Sequence, residues 1–279
     1  MSYSRVEDFR SFYAQVLARW SGGDVGRLSK AFGAVARENF LGAGPWQILT
    51  PSGYIETPSD DPAFVYQDVV IAIAPDRGIN NGEPSLHAKS LAVLKVVEGE
   101  TVVHVGAGTG YYSAVLAELV GPQGHVHAYE IDQHIAGLAK ENLRTYKNVT
   151  LHSQSGVAGQ LPECDAVYVN AGATSPANEW LDCLKSEGRV LFPLTPNRGE
   201  GYGQMLLLSK KANGIEASFI TEASFIGCQG LRDPAKAAEL LALFKSKDVS
   251  LVRSLIRNDK PDETAWISWE NSWLSTKPL

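Results

Sequence analysis

The residues best suited to chemistry are three closely spaced glycines and one carboxylate. In V-V-H-V-G-A-G-T-G-Y-Y, Gly106, Gly108 and Gly110 leave an apolar β-branched run and open a second apolar stretch at Tyr111. Glycine there permits the positive φ angles of a tight strand-to-helix turn and brings main-chain N–H groups close to a ligand. Glu130 closes the next strand-like run, H-V-H-A-Y-E, at the distance along the chain where an acidic side chain can accept hydrogen bonds from both ribose hydroxyls of a nucleoside. Without the glycine turn, Glu130 would read equally well as a solvated strand end. A dinucleotide turn asks for a glycine at 111, where this chain has Tyr111. S-adenosylmethionine (SAM), which carries no phosphates, fits the G-x-G-x-G turn better, and a nicotinamide enzyme is the alternative.

Other constellations point to less. His125, His127 and His134 lack a cysteine or carboxylate cluster to complete a metal site, so no metal is expected. No serine lies on a strand-turn-helix elbow of the kind a hydrolase needs. Cys164, Cys183 and Cys228 are odd in number and widely spaced, which predicts buried, reduced thiols. Trp266, Trp269 and Trp273 are expected to pack the tail onto the protein, with a lid or a dimer contact as the alternative.

The balance of 25 Lys and Arg against 31 Asp and Glu, net −6, argues against a nucleic-acid partner. Hydrophobic residues at 44% and charged residues at 20% predict a folded chain with a sizeable core. The first twenty residues carry no continuous apolar stretch and no window reaches the roughly 18 to 20 apolar residues of a membrane span, so a cytoplasmic protein without membrane contact is expected.

The elements that would position the glycine turn follow from periodicity. Val6, Phe9, Phe12, Tyr13, Val16, Leu17 and Trp20 predict an amphipathic helix over 5–20, and a second helix follows Asp24 and ends near Glu38. Residues 40–62 read as a long irregular connection, 66–74 as a short apolar β-branched run, and 75–84 as turns. Regular alternation begins at Ser85: a helix to Gly99, then strands over 101–105, 125–129, 149–152, 166–170, 189–193 and 204–209, with helices over 112–120, 133–145 and 177–185 between them. Residues 234–257 read as helical. The pattern predicts an α/β fold with a doubly wound, mostly parallel sheet and a ligand at the carboxyl ends of its strands. Three segments are expected: 1–84 with N-terminal helices and substrate-side loops, 85–230 as the cofactor-binding core, and 231–279 as a helical, tryptophan-containing extension.

From about Leu28 to Gly230 the chain resembles the protein-L-isoaspartate O-methyltransferase family. Ala31–Phe40, A-F-G-A-V-A-R-E-N-F, is similar to the family's A-F-x-x-V-P-R-E-x-F, and V-Y-Q-D at 65–68 to its A-Y-x-D. G-A-G-T-G-Y-Y-S-A-V-L-A-E-L at 106–119 resembles G-x-G-S-G-Y-x-x-A-V-L-A-x-L, and D-A-V-Y-V-N-A-G-A at 165–173 its D-A-I-x-V-x-A-A-A. L-K-S-E-G-R-V-L-F-P-L at 184–194 and G-Q-M-L at 203–206 match L-K-P-G-G-R-L-V-x-P-V and N-Q-M-L. Collinear agreement of this kind is more specific than any single motif.

The resemblance implies a seven-stranded, Rossmann-like class I methyltransferase with SAM as cofactor and a protein or peptide carboxylate as acceptor, isoaspartyl residues leading. Alternatives are a small-molecule or specialised acceptor, or SAM binding without turnover. It implies a cofactor-side set of Gly106, Ala107, Gly108, Gly110, Tyr111, Glu130, Ser155, Gly156, Asn170 and Gln204, with His87 close by. Three departures stand out. Aligning the family's T-I-S-x-P on Pro84 puts Asn80, Asn81 and Gly82 where threonine, isoleucine and serine would stand, so Asn80, Asn81, Ser85 and Thr174 are the candidate replacement donors for a carboxylate. The family's G-D-G is Q-S-G here, with Ser155 a weaker acceptor for an adenine amino group. The chain also runs on past the usual end of the family's catalytic domain.

Methyl transfer to a carboxylate needs no general base, because a group with a pKa near 4 is already ionised at neutral pH. It needs positioning and exclusion of water, so no catalytic acid or base is expected. Calorimetry with SAM, S-adenosylhomocysteine and NAD tests the cofactor assignment: SAM should bind in preference to NAD, and Glu130→Ala should weaken it by about 1.5–3 kcal/mol, the scale of hydrogen bonds to a charged group.

Overall fold

The computed structural model describes residues 5–279; the first four residues of the expected 1–84 segment lie outside the described residues. In chain order the elements are α1 (Arg5–Ser21), α2 (Val25–Ala34), β1 (Gln47–Thr50), β2 (Gly53–Glu56), β3 (Ala72–Ala74), β4 (Ile79–Asn80), α3 (Pro84–Leu94), β5 (Thr101–Val105), α4 (Tyr111–Val120), β6 (His125–Tyr129), α5 (Gln133–Asn142) and β7 (Val149–His152). There follow β8 (Cys164–Val169), α6 (Asn178–Asp182), β9 (Leu184–Leu194), β10 (Gly203–Lys211), β11 (Gly214–Ala223), α7 (Pro234–Ser246), β12 (Ser254–Arg257), β13 (Ala265–Ser268) and β14 (Ser272–Ser275). By internal contacts the chain divides into two units: residues up to 100 with 107–154, and residues 101–106 with 155–279.

In the first unit α1 turns Tyr13, Ala14, Leu17 and Ala18 inward, and α2 starts on Asp24, whose carboxylate accepts the Arg27 N–H. The second helix ends at Ala34, short of Glu38, and a 3₁₀ turn over Arg37–Phe40 follows. That turn delivers Arg37 to the interior, where it is 0% exposed. Its guanidinium donates to the carbonyls of Val65 (2.6 Å), Gln67 (2.9 Å) and Val69 (2.7 Å). Those bonds explain why the apolar run 66–74 yields a strand only at Ala72–Ala74: alternate carbonyls serve the arginine instead of a neighbouring strand.

The expected irregular connection over 40–62 contains a hairpin. β1 and β2 pair antiparallel through a two-residue turn, Pro51 and Ser52, with Gly53 at φ +113°. Leu49 N–H reaches Val70 O at 2.9 Å, so the hairpin is stitched to the segment leading into β3. The remaining elements of this unit match the periodicity closely, although α3 ends at Leu94 with Lys95 left-handed, and α5 ends at Asn142. β6 and β7 pair in parallel.

In the second unit β5, β8 and β9 run parallel, while β9–β10, β10–β11, β11–β12, β12–β14 and β14–β13 are antiparallel. The main sheet therefore has ten strands and is mixed, not seven-stranded and mostly parallel. Connection length is the cause: a two-residue link such as Ala212 and Asn213 between β10 and β11 can only make a hairpin, since parallel neighbours need a crossover of a dozen residues or more. The expected helix over 234–257 stops at Ser246; Asp248 then caps a short 3₁₀ turn, and β12 begins at Ser254. The extension is thus one helix and three strands. α6 is also shorter than expected, because Leu184 already belongs to β9.

Trp266 and Trp273 are buried, and Trp266 packs against Phe219 and Phe244 with ring centres 5.3 and 5.6 Å apart. All three cysteines are buried, and the sulfurs of Cys164 and Cys183 lie 3.6 Å apart. Among the described residues no helix is long and apolar enough to cross a membrane.

Arg37 is a fully buried guanidinium that ties three main-chain carbonyls together. Arg37→Met should lower the unfolding free energy by about 3–5 kcal/mol in a denaturant titration, because three carbonyls lose a charged donor.

Candidate functional site

The glycine turn is held by the carboxylate that the sequence pairs with it. Glu130 follows β6 and is 9% exposed. Its Oε2 accepts the Gly108 N–H at 2.8 Å and its Oε1 the Asp132 N–H at 2.9 Å. Burial pushes the Glu130 pKa up, against the main-chain N–H groups that favour the ionised form. A carboxylate offers about four lone-pair sites, so acceptor capacity remains for two hydroxyl donors. Ala107 N–H donates to Tyr129 O at 3.0 Å, fixing the turn to the end of β6.

Each residue of the turn has its own reason to be there. Gly108, at φ +58°, has nothing within 4 Å of the position a Cβ would take, so the turn is open on that side. Gly110, at φ +98°, would place a Cβ 2.9 Å from the Leu143 side chain; its lack of a side chain serves packing. Thr109 gives its hydroxyl to Phe40 O at 2.6 Å, and its carbonyl accepts from Asn142 Nδ2 at 2.9 Å. The Tyr111 side chain is buried among Phe40 and Tyr112, leaving only its main chain at the start of α4 for a ligand. Asp132 caps α5 through the Ile135 N–H and pairs with Arg77.

In the same unit, His87 is 2% exposed and stacks on Tyr112 at 3.6 Å between ring centres. Gly82 is left-handed at φ +74°, and a Cβ there would come 2.2 Å from His87 Nε2. The imidazole thus fills the space that a side chain at 82 would need. Asn80 Oδ1 accepts the Gly82 N–H (3.0 Å), and Asn81 Oδ1 accepts the Ile71 N–H (2.9 Å). Asn81 Nδ2 is buried without a hydrogen-bond partner. Ser85 N–H is capped by Asp68 at 2.8 Å.

In the second unit, Asn170 lies just past β8. Its N–H donates to Val105 O (2.8 Å), its Nδ2 lies 2.8 Å from His104 Nε2, and its Oδ1 is buried without a partner. Burial lowers the His104 pKa to about 3, so the ring is neutral and accepts from the Asn170 amide. Gly106, at φ +75°, would place a Cβ 3.2 Å from Asn170 O. Ser155 Oγ accepts the Val157 N–H (3.2 Å), and Gly156 O accepts from Trp180 Nε1 (2.9 Å). Gln204 pairs with Leu194 across β10–β9. Thr174, a candidate acceptor-side donor, is 1% exposed; its hydroxyl donates to Leu231 O (3.0 Å) and accepts the Asp233 N–H (3.0 Å). It is committed to the fold and not available to a substrate.

Sequence reasoning missed Thr109, Asn142, His104 and Asp132. Only Asp132 carried a signal, as an N-cap residue directly before a helical run. Of the histidines considered for a metal, His125 lies 2.8 Å from Thr150 Oγ1 and His127 lies 3.2 Å from His152. Among the described residues no group of three or more ligand types is arranged to hold a metal ion.

Comparison with known proteins places this geometry in context. Residues 53–231 match the family model described as Protein-L-isoaspartate(D-aspartate) O-methyltransferase (PCMT). A Protein-L-isoaspartate O-methyltransferase of Methanococcoides burtonii is 33% identical over 163 residues, covering 56% of this chain and 76% of the relative. One from Thermotoga maritima is 28% identical over 211 residues, 73% of this chain and 61% of the relative. A solved structure titled protein-L-isoaspartate O-methyltransferase aligns with a TM-score of 0.65 at 26% identity, covering 79% of this chain and 66% of the other. A Plasmodium falciparum structure described as a beta-aspartate methyltransferase (PCMT) in complex with S-adenosyl-L-homocysteine shares the fold, with a TM-score of 0.62 at 19% identity over 79% of this chain and 98% of the other.

The packing at Gly82 makes a definite prediction. Gly82→Ser should destabilise the protein by about 1–3 kcal/mol, from left-handed strain and displacement of His87, without improving activity. Thermal unfolding beside an activity assay checks it; a stable variant with raised activity would show that the loop has room for the hydroxyl.

Proposed function

Because the chain belongs to the protein-L-isoaspartate(D-aspartate) O-methyltransferase family, we propose that it is a SAM-dependent methyltransferase acting on a carboxylate, with isoaspartyl residues of damaged proteins or peptides as the leading acceptor. The observation that carries this reading is Glu130. Its carboxylate is buried, bonded to Gly108 and Asp132, and retains lone pairs for ribose hydroxyls beside a turn that is open at Gly108. When bound, SAM supplies an electrophilic methyl group on a sulfonium. The chain's own work is to orient that group, to receive the acceptor carboxylate and to keep water out.

Two elements divide this work in the first unit. Glu130 and the main chain of Ala107–Gly110 hold the nucleoside and amino-acid parts of the cofactor. Asn81 Nδ2, a buried amide with two unused N–H donors, receives the acceptor carboxylate in place of the serine hydroxyl that the family has at position 82. The acceptor oxygen is ionised already, so no residue needs to remove a proton. In the second unit, His104 holds the Asn170 amide in place, and Asn170 Oδ1 stays a buried acceptor.

One observation favours a second acceptor class. Position 82 offers no hydroxyl, and a side chain there would meet His87 Nε2 at 2.2 Å, which suits a specialised peptide or small carboxylate.

A methylation assay on matched isoaspartyl and aspartyl peptides tests the reading. Transfer to the isoaspartyl form alone supports repair; transfer to neither, with methylation of another carboxylate, establishes the second class. Asn81→Ala should raise the acceptor KM about tenfold or more while leaving S-adenosylhomocysteine affinity unchanged, the effect of losing a hydrogen bond to a charged group.

A further inference from the structure

Residues 172–174, after β8, are pinned at every main-chain polar group. Gly172 N–H donates to Ile226 O (2.7 Å) and Gly172 O accepts from Cys228 N–H (2.8 Å). Ala173 N–H donates to Pro193 O (2.9 Å) and Ala173 O accepts from Thr195 N–H (2.9 Å). Thr174 N–H donates to Leu231 O (3.0 Å), and Thr174 O accepts from Trp269 Nε1 at 2.8 Å. There is no slack in the fit: a Cβ on Gly172 would stand 2.4 Å from Thr195 Oγ1.

The last of these donors comes from beyond residue 231, where the family match ends. Arg232, just past that limit, works alongside it. Its Nη1 donates to Gly172 O (3.2 Å), Thr195 O (2.9 Å) and Thr195 Oγ1 (3.1 Å), and its Nη2 to Pro196 O (2.9 Å) and Asn197 Oδ1 (3.2 Å). One guanidinium therefore ties the segment after β8 to the segment after β9. A planar fork with five N–H donors suits this task, and a lysine ammonium does not reproduce it.

In an open α/β sheet, ligands sit at the carboxyl ends of the parallel strands, which is where both segments lie. We infer that Trp269 and Arg232 are positioning residues for the acceptor side of the reaction, fixing Gly172–Thr174 and Thr195–Asn197. The inference rests on the methyl-transfer reading. It separates acceptor from cofactor because Asn170, at the start of the same segment, has its own anchors on β5, in Val105 O and His104. The other two tryptophans of the extension serve as internal controls. The indole nitrogens of Trp266 and Trp273 are buried without partners, so these side chains act through packing alone.

The test compares Trp269→Phe, which keeps a ring and removes the donor, with Trp273→Phe. Acceptor kcat and KM, S-adenosylhomocysteine affinity, thermal unfolding and amide hydrogen exchange are measured for each. For Trp269→Phe, kcat/KM for the acceptor should fall at least tenfold with S-adenosylhomocysteine affinity within twofold. Amides of 172–174 should exchange at least tenfold faster, with those of 102–110 unchanged. Trp273→Phe should lower thermal stability without either effect. Arg232→Lys should reproduce the Trp269→Phe pattern, and it decides the matter if Trp269→Phe does not fold. Unchanged exchange at 172–174, or kinetic losses that merely track thermal stability in both tryptophan variants, would overturn the inference. If the wild-type protein transfers no methyl group to any carboxylate acceptor, the methyl-transfer reading is what fails; the exchange data still decide whether Trp269 and Arg232 hold the segment.

Discussion

A carboxylate taken out of water must find donors, and Glu130 finds them in the main chain at Gly108 and Asp132. Much of the first unit follows from this. The Gly108 bond shapes the turn between β5 and α4, and the Asp132 bond sets the residue that caps α5 and pairs with Arg77. Thr109 extends the same framework to Phe40, at the end of the 3₁₀ turn that carries Arg37. Arg37 in turn holds the carbonyls of the segment that leads to Asn81 and Gly82. The glycine turn and the loop at Asn81 and Gly82 are thus connected through hydrogen bonds to the main chain, those from Glu130 and Arg37 being charge-assisted and among the stronger polar contacts a protein makes.

The parts of this arrangement that were legible in the sequence are the local ones. The strand-turn-helix at 101–120 and the pairing of its glycines with Glu130 rest on φ angles, spacing and apolar periodicity, all of which neighbouring residues determine. β6 and β7 likewise matched their expected limits. Hairpin β1–β2 was hidden because its stability comes from Leu49 N–H meeting Val70 O, a contact across some twenty residues that no local pattern records. The three strands after α7 were hidden for a related reason: Leu255, Trp266 and Leu274 are apolar residues whose spacing does not distinguish a helix face from a buried strand until a partner strand is present.

Site residues divide in the same way. Glu130, Gly108 and His87 were singled out in the sequence, the last through resemblance alone. Thr109, Asn142 and His104 act through single hydrogen bonds to groups distant in sequence, so nothing in their surroundings marked them. Thr174 shows the converse: its residue type suggested a free hydroxyl, and the fold had already used both its donor and its acceptor capacity. Gly82 is more instructive still. An apparent loss of a functional serine is also a gain of space, which His87 occupies.

The central claim is that Glu130 receives the ribose hydroxyls as an ionised, buried carboxylate. Burial raises its pKa in the folded protein, which disfavours the charged form as pH rises past the ordinary glutamate range. Two hydroxyl donors favour that charged form, so binding should release protons and tighten as pH rises through the raised pKa. Calorimetric titration with S-adenosylhomocysteine across pH, in buffers of different ionisation enthalpy, measures this directly. The account predicts net proton release and rising affinity in the wild-type protein, both abolished in Glu130→Gln; affinity independent of pH, with Glu130→Gln binding as tightly as wild type, would contradict it.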